Sequence, residues 1–179
     1  MNLPSVESFP AGVEAGGYEV GDFLLLHKGR WAGAVIRWGQ RIRFRGNLKP
    51  YAAWNHCALI VSESGDLVEA LARTGATRSH VSKYLHTQRT LVRTHAVPRD
   101  QAELLTYADR VVGEPYGWLN DACIFVSYLT GCKLNIATRG HVMCAGLVGN
   151  AQLRAGAYFS QMADWLAPAD LALAYRVLD

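Results

Sequence analysis

The fold of this chain is decided by the stretch HCALIVSESGDLVEA, which occupies residues 56–70. Two apolar segments, 56–61 and 66–70, flank the polar residues 62–65, which end in the turn-forming Gly65. Short apolar runs on either side of such a turn are typical of two antiparallel strands joined by a tight loop. The stretch therefore predicts a β-hairpin.

The length of the hairpin loop decides whether His56 and Glu69 meet. If the loop has two residues, Glu69 lies opposite Ala58 and therefore diagonal to His56 on the same face. Diagonal neighbours are about 7–8 Å apart, within reach of two long polar side chains. An odd number of loop residues would place the two side chains on opposite faces, and the sequence leaves both lengths open.

Hydrophobic periodicity outside the hairpin predicts further strands at 23–26, 90–97 and 175–178, and helices at 30–45, at about 121–129 and at 144–154. Another helix should follow Pro98, where Asp100 and Glu103 have the spacing of a capping box, and it should end at Gly113. The sequence therefore predicts the α+β class, with an antiparallel sheet.

Composition predicts one domain. Half of the 179 residues are hydrophobic and 18% are charged, which suffices for a single core and excludes global disorder. Residues 1–20 have no sustained period and predict an N-terminal arm, followed by one domain at 21–179. The net charge of +3 is too small to require a specific nucleic-acid partner, and the oligomeric state is not readable.

No segment of the sequence predicts targeting or a transmembrane span. Apolar runs such as the one at 23–26 are far short of the ~18 residues that cross a bilayer, and the N-terminus lacks a basic-then-apolar signal pattern. We therefore expect a cytoplasmic protein, with free thiols at Cys57, Cys123, Cys132 and Cys144. Export by another route, or carriage by a virus particle, stays open.

Cys144 is the candidate nucleophile. Its thiol should lie in the first turn of the helix predicted at 144–154, where unpaired N–H groups and the helix dipole stabilise a thiolate. His56 would be the general base, donating its second ring nitrogen's proton to Glu69, which fixes the tautomer. The alternative is a packing cysteine, with His56 on the surface and Glu69 at the rim.

Five segments together resemble one enzyme family. They are GDFLL at 21–25, WNHCALIV at 54–61, GDLVEA at 65–70, VGEPYGW at 112–118 and CAGLV at 144–148. They are similar to the Gly-Asp strand, the histidine strand, the strand after it, the Gly-x-Pro-Tyr segment and the Cys-Ser-Gly-Leu-Val helix of NlpC-type papain-like cysteine hydrolases. The cysteine helix comes last here, which is the order of the circularly permuted branch, related to lecithin:retinol acyltransferase.

The resemblance implies a papain-like fold, with the sheet packed against the cysteine helix, and acyl transfer through a thioester without metal or organic cofactor. It assigns Cys144 as nucleophile, His56 as base and Glu69 as the orienting residue. It also implies substrate contacts at Tyr116, Trp118 and Trp54.

The implied substrate is an amide bond in a peptide or a peptidoglycan-like stem peptide, cleaved by an amidase or endopeptidase. A lipid or thioester acyl substrate, acted on by a hydrolase or transferase, is one alternative. A noncatalytic binding or assembly module that keeps the fold is the other.

Two departures from the family pattern flank the nucleophile. Ala145 stands where members usually carry Ser, and Met143 stands where many ordinary members have Asp, so we expect altered substrate contacts. The spacer of 27 residues between Tyr116 and Cys144 is long and predicts an inserted helix.

Other residues support weaker hypotheses. A zinc site could draw on His56, Cys57, Cys123, Cys132, His141 and Cys144, but these residues lack the ligand spacing of such sites. A basic patch could bind an acidic or phosphate-rich polymer or be a solvated face, and it comprises Arg41, Arg43, Arg45 and Lys49. Cys57 follows His56 on the strand, should point away from it, and is expected to serve packing.

Overall fold

The computed structural model describes residues 4–29, 31–131 and 140–178. The described strands are β1 (Ser5–Phe9), β2 (Phe23–His27), β3 (His56–Ile60), β4 (Asp66–Leu71), β5 (Gly75–His80) and β6 (Gln88–Arg93). They form one antiparallel sheet in the order β1-β6-β2-β3-β4-β5. With the helices that accompany it, this sheet makes the chain an α+β protein.

The described helices are α1 (Trp31–Arg43), α2 (Pro98–Val111), α3 (Trp118–Thr130), α4 (Cys144–Arg154) and α5 (Pro168–Ala174). Short 3₁₀ helices lie at Gly46–Ala53, Val81–Tyr84 and Ala163–Trp165. Among the described helices, none is both long and apolar enough to cross a lipid bilayer.

β2 is buried on both faces because it lies in the middle of the sheet. Phe23 and Leu25 face one core, which also contains buried residues of α2 and α4. Leu24 and Leu26 face a second core under Tyr18. A strand covered on both faces has a continuous apolar sequence, which is why FLLLH shows no alternation.

α4 packs across β3 and β4 and against α2. Its inner positions are small or aliphatic, and Gly149 is required because a Cβ there would come within 2.4 Å of the Leu166 side chain. Gln152, near the other end of the helix, donates from Nε2 to the Gly21 carbonyl at 2.6 Å. These contacts fix the position of the helix that begins at Cys144.

Most of the predicted elements are confirmed. The hairpin, the strand at 23–26 and the helix at 144–154 lie where expected, and the helices predicted at 30–45 and 121–129 are α1 and α3. The spacer before Cys144 does contain a helix, α3. Residues 5–9, within the expected N-terminal arm, add the edge strand β1, which pairs with β6.

The strand predicted at 175–178 is wrong. α5 ends just before it, and Arg176 has a left-handed φ of 56°. The N–H of Val177 then bonds back to the Ala172 carbonyl at 2.8 Å. This arrangement closes a helix C-terminus instead of forming a strand.

Two boundaries also differ from the predictions. β6 ends at Arg93, short of the predicted 90–97, because the chain turns at His95, whose φ is 52°. α2 begins at Pro98 with no side-chain cap, so Asp100 lies in its first turn and is not the capping residue. Proline suits this position because it lacks the N–H that the helix would leave unpaired.

Candidate active site

Cys144 begins α4 at one end of the sheet. Met143 has extended backbone angles and the helix starts directly after it, as predicted, so the thiol occupies the first turn. A parallel bridge between Tyr116 and Val142 fixes the chain that enters the helix. Cys144 is 6% exposed, at the border between core and solvent.

β3 and β4 bring His56 and Glu69 together. Leu59 pairs with Val68, a register that sets Glu69 opposite Ala58. His56 Nε2 lies 2.7 Å from Glu69 Oε2 and donates to it. The two-residue loop is therefore confirmed. The side-chain atoms are closer than the spacing of diagonal residues because the two side chains extend towards each other.

Glu69 is fully buried and accepts hydrogen bonds from three more side chains. Lys83 Nζ and Ser79 Oγ lie 2.7 and 2.5 Å from Oε1, and the Tyr84 hydroxyl donates to Oε2. Burial would raise the pKa of Glu69, but the hydrogen bonds from His56 and Lys83 outweigh it and hold this pKa well below its usual range. Glu69 is therefore an anion at any working pH and can stabilise the imidazolium form of His56.

No sequence pattern indicated these three donors. Lys83 and Tyr84 belong to the 3₁₀ helix at Val81–Tyr84, which has no periodic pattern. Ser79 pairs with Leu67 across β5 and β4, which makes it a diagonal neighbour of Glu69. Only the register of β5 could have identified Ser79, and β5 has no apolar run.

Cys144 is close enough to both the His56 imidazole and the Cys57 thiol for each of them to act on its pKa. Burial disfavours the imidazolium, but hydrogen bonds with Cys144 and Glu69 outweigh it and raise the pKa of His56. The hydrogen bond from Cys57, together with the hydrogen bond and charge of His56, lowers the pKa of Cys144 well below its ordinary value despite burial. Both shifts favour a thiolate–imidazolium pair.

The prediction that Cys57 points away from His56 and packs in the core is confirmed, and its thiol also acts on Cys144. Cys57 belongs to the core cluster that contains Cys144, whereas its neighbour Ala58 belongs to the cluster on the other face of the sheet. Alternation does turn Cys57 away from the face of His56, but this is the side from which α4 approaches. Burial raises the pKa of Cys57, so its thiol stays protonated and donates to Cys144.

Lys28 adds a cation that the sequence analysis missed. Its Nζ donates to the Tyr84 hydroxyl at 3.0 Å and lies 4.7 Å from the centre of that ring. Burial lowers the pKa of Lys28 to about 8, opposed by the charges of Glu69 and Cys144. Asn55, the residue before His56, bonds the Lys28 backbone on both its N–H and its carbonyl, each at 2.8 Å.

Tyr116 lies within electrostatic reach of Cys144, and Trp118 lies beside Tyr116. The charge of Cys144 acts on Tyr116, whose hydroxyl donates to Asp121 Oδ2 at 2.7 Å. The Tyr116 and Trp118 rings meet edge to face at 5.2 Å, and Trp118 is 59% exposed. Burial raises the pKa of Asp121 to about 7, and the charge of Cys144 adds to that shift. Asp121 is a further site residue that sequence reasoning missed.

Trp54 occupies a different place from Tyr116 and Trp118. It is 1% exposed and belongs to the core, where it packs and does not face solvent. Ala145 and Met143 are also buried, at 1% and 4% exposure. The expectation of altered substrate contacts does not fit Ala145, whose side chain packs in the same core as Trp54.

The zinc hypothesis includes His56, Cys57 and Cys144 of this network, whereas the basic-patch hypothesis includes none of its residues. Within the described ranges, no group of three His, Cys, Asp or Glu side chains is arranged to hold a metal ion, and Cys132 lies outside those ranges. In the basic patch, Arg43 forms an ion pair with Asp170 at 2.9 Å, and Arg45 donates from Nε to the Ile42 carbonyl at 2.7 Å.

Comparison of the chain with models of protein families and with curated proteins found no match in either set.

Proposed function

We propose that this protein is a cysteine hydrolase that acts by acyl transfer through a thioester, on a papain-like fold of circularly permuted order. One observation carries the proposal, namely that the buried Glu69 carboxylate holds the imidazole of His56, which in turn lowers the pKa of Cys144. A thiol of lowered pKa at a helix start, beside an imidazole held by a buried carboxylate, is the arrangement that nucleophilic catalysis requires.

In the proposed reaction, the Cys144 thiolate attacks a carbonyl carbon and forms a carbon–sulfur bond. The oxyanion that develops is within the field of the α4 N-terminus, whose first N–H groups have no partner within the helix. His56, as imidazolium, gives its proton to the leaving group while the scissile bond breaks, and a thioester remains. Water, deprotonated by neutral His56, then attacks the thioester and releases the acid and Cys144.

Glu69 remains an anion throughout this cycle. Because its hydrogen bond occupies His56 Nε2, the other ring nitrogen is available to exchange a proton with Cys144. Its negative charge stabilises the imidazolium, and Lys83 and Tyr84 keep the carboxylate from rotating away. Tyr116, within electrostatic reach of Cys144, is proposed to contact the substrate.

The proposed substrate is a peptide or stem-peptide amide, the bond that the sequence resemblance favours. A lipid or thioester acyl substrate is the second candidate, supported by the apolar side chains of Trp118 and Leu119 that α3 exposes next to Tyr116. Apolar walls suit an acyl chain. Turnover of an acyl ester without cleavage of any peptide would select the second candidate.

Labelling of Cys144 tests the chemistry before any substrate is known. We expect iodoacetamide to alkylate Cys144 at about pH 6, where an ordinary thiol is almost unreactive. His56→Ala should slow this labelling by at least about tenfold, because the thiolate loses its cationic partner. Glu69→Gln should slow it less, since an amide can still accept the hydrogen bond of His56. Peptide mapping by mass spectrometry would assign each labelled thiol.

Cys123 provides the matched control. Labelling of its thiol within the same sample should not change in the His56→Ala variant, and Cys123→Ala should leave the Cys144 rate as in the wild type. If Cys144 reacted at the same rate with and without His56, or only at the alkaline pH of an ordinary thiol, the hydrolase proposal would fail. The noncatalytic module would then be the better explanation.

A further inference from the structure

α3 exposes an apolar face that no other element in the described part of the chain covers. Its exposed positions through Leu129 are all apolar and comprise Trp118, Leu119, Ala122, Val126 and Leu129. The buried residues Asn120 and Ile124 lie on the opposite side of the helix. A helix on a protein surface that faces water normally has polar residues at its exposed positions.

α1 extends this surface. The Trp38 ring lies 5.6 Å from the Phe125 ring, and Trp38 is 57% exposed. Gly39 permits the two helices to approach, because a Cβ there would come within 2.7 Å of Phe125. The result is one continuous surface, here called the α1–α3 face, formed by Val35, Trp38, Trp118, Leu119, Val126 and Leu129.

Positive charge borders the α1–α3 face. The sequence has no Asp or Glu between Asp22 and Glu63, a stretch that contains α1 and seven Lys and Arg residues, of which Arg43 is paired with Asp170. Arg41 is exposed one turn after Trp38. The acidic residue of α3, Asp121, is held by the Tyr116 hydroxyl on the inner side of the helix. An occupant of this face must therefore be apolar where it touches the helices and anionic around them.

We propose that the α1–α3 face docks onto an anionic lipid membrane. Tryptophan and aliphatic side chains insert at the boundary between headgroups and acyl chains, and arginines beside them bind anionic headgroups. A second copy of the chain fits poorly, because a two-fold interface would bring the same arginines against each other. Since the Trp118 ring meets the Tyr116 ring edge to face, docking would bring the candidate site close to the lipid surface.

Vesicle binding tests this proposal without reference to catalysis. We expect the full chain to co-sediment with phosphatidylcholine vesicles that contain about 30% phosphatidylserine, less with phosphatidylcholine alone, and less at high salt. Leu129→Glu should weaken binding at least about tenfold, because it places a charge in the apolar contact. Arg41→Glu should weaken binding to anionic vesicles about five- to thirtyfold, and binding to neutral vesicles little.

The controls are an exposed leucine and an exposed arginine elsewhere. Leu153→Glu, on α4, and Arg73→Glu, in the β4–β5 turn, should bind like the wild type. Quenching of tryptophan fluorescence by brominated lipid gives a second readout that needs no variant. Equal loss in test and control variants, or absence of vesicle binding and of quenching, would overturn the proposal. So would a dimer that Leu129→Glu dissociates, which would identify the face as an interface between copies.

Discussion

The thiol of Cys57 shows how strongly one hydrogen bond can act on a buried nucleophile. Cys57 is fully buried, and burial keeps its own thiol protonated. It can therefore donate to Cys144, and this bond is the largest contribution that lowers the pKa of the Cys144 thiol. In a site with little water, one donor replaces the solvation that a thiolate loses on burial.

Replacement of Cys57 should therefore make Cys144 less acidic. We expect Cys57→Ala to raise the apparent pKa of Cys144 by about one unit, and Cys57→Ser, which keeps a donor, to raise it less. The pH dependence of Cys144 alkylation, followed by peptide mapping, measures this. Cys123→Ala should leave the profile in place, and a Cys57→Ala profile equal to that of the wild type would show that the thiol contact has no energetic effect.

At the residue scale, the sequence identified the pairs set by local register and missed those set by tertiary contact. His56 and Glu69 meet in the two-residue-loop register, one of the two that the sequence left open, because strand alternation then places them on the same face. Ser79, Lys83 and Tyr84 reach Glu69 only through β5 and the turn after it. Nothing in a single sequence encodes that approach, since polar residues before a turn are equally common on open surface.

Among the elements, α4 determines where the thiol lies, and it is anchored at its far end. Gln152 is 1% exposed; its Nε2 bonds the Gly21 carbonyl at 2.6 Å, and its Oε1 accepts from the Tyr175 hydroxyl at 3.4 Å. These bonds connect the last turns of α4 to the segment before β2 and to the turn after α5.

Loss of this anchor should destabilise the whole fold. Gln152→Ala leaves a buried carbonyl at Gly21 without its partner, so we expect the free energy of unfolding to fall by about 1–3 kcal/mol, measured by urea titration. Leu153→Ala, at the exposed neighbouring position, should change it by no more than about 0.5 kcal/mol. Equal effects from both variants would mean that helix propensity, and not the buried amide, accounts for the loss.

The elements that the sequence failed to predict have no strong periodicity. β5 lies at an edge of the sheet and reads GATRSH, with polar residues on its exposed side, so no apolar run indicates it. α5 was missed, and the mostly apolar residues directly after it predicted a strand at 175–178 instead. Its true signal is Asp170, whose carboxylate accepts the Ala167 N–H at 2.9 Å and caps the helix start.

At the scale of the whole molecule, ionisable residues that are far apart in the chain meet at one end of the sheet. His56 and Glu69 come from the first half of the chain and Cys144 from the second half, so the site exists only in the complete fold. The same end holds Asp121, a carboxyl that burial and the charge of Cys144 make harder to ionise, with a pKa raised to about 7. The stability of the fold is therefore linked to the proton on Asp121.

The direction of this linkage follows from the two pKa values of Asp121. In the unfolded chain the carboxyl ionises near its ordinary value of 3.8, and in the folded chain near 7. Between these values the folded state binds more protons, so the contribution of Asp121 to stability is fully present below about pH 4 and declines as pH rises towards about 7. Three units would correspond to about 4 kcal/mol, and partial exposure of the residue reduces this to about 2 kcal/mol.

Asp121→Asn should remove this decline, because an amide does not titrate. We expect the variant to gain about 2 kcal/mol relative to the wild type between about pH 4 and pH 8, measured by urea unfolding across that range. Tyr116→Phe should move the decline to higher pH, because the hydroxyl that helps Asp121 to ionise is lost. Asp109→Asn replaces an exposed carboxylate on α2, and its free energy of unfolding should change with pH as that of the wild type does. If the difference between Asp121→Asn and the wild type did not change with pH, Asp121 would have to be ionised in the fold throughout, against its burial beside the thiolate of Cys144.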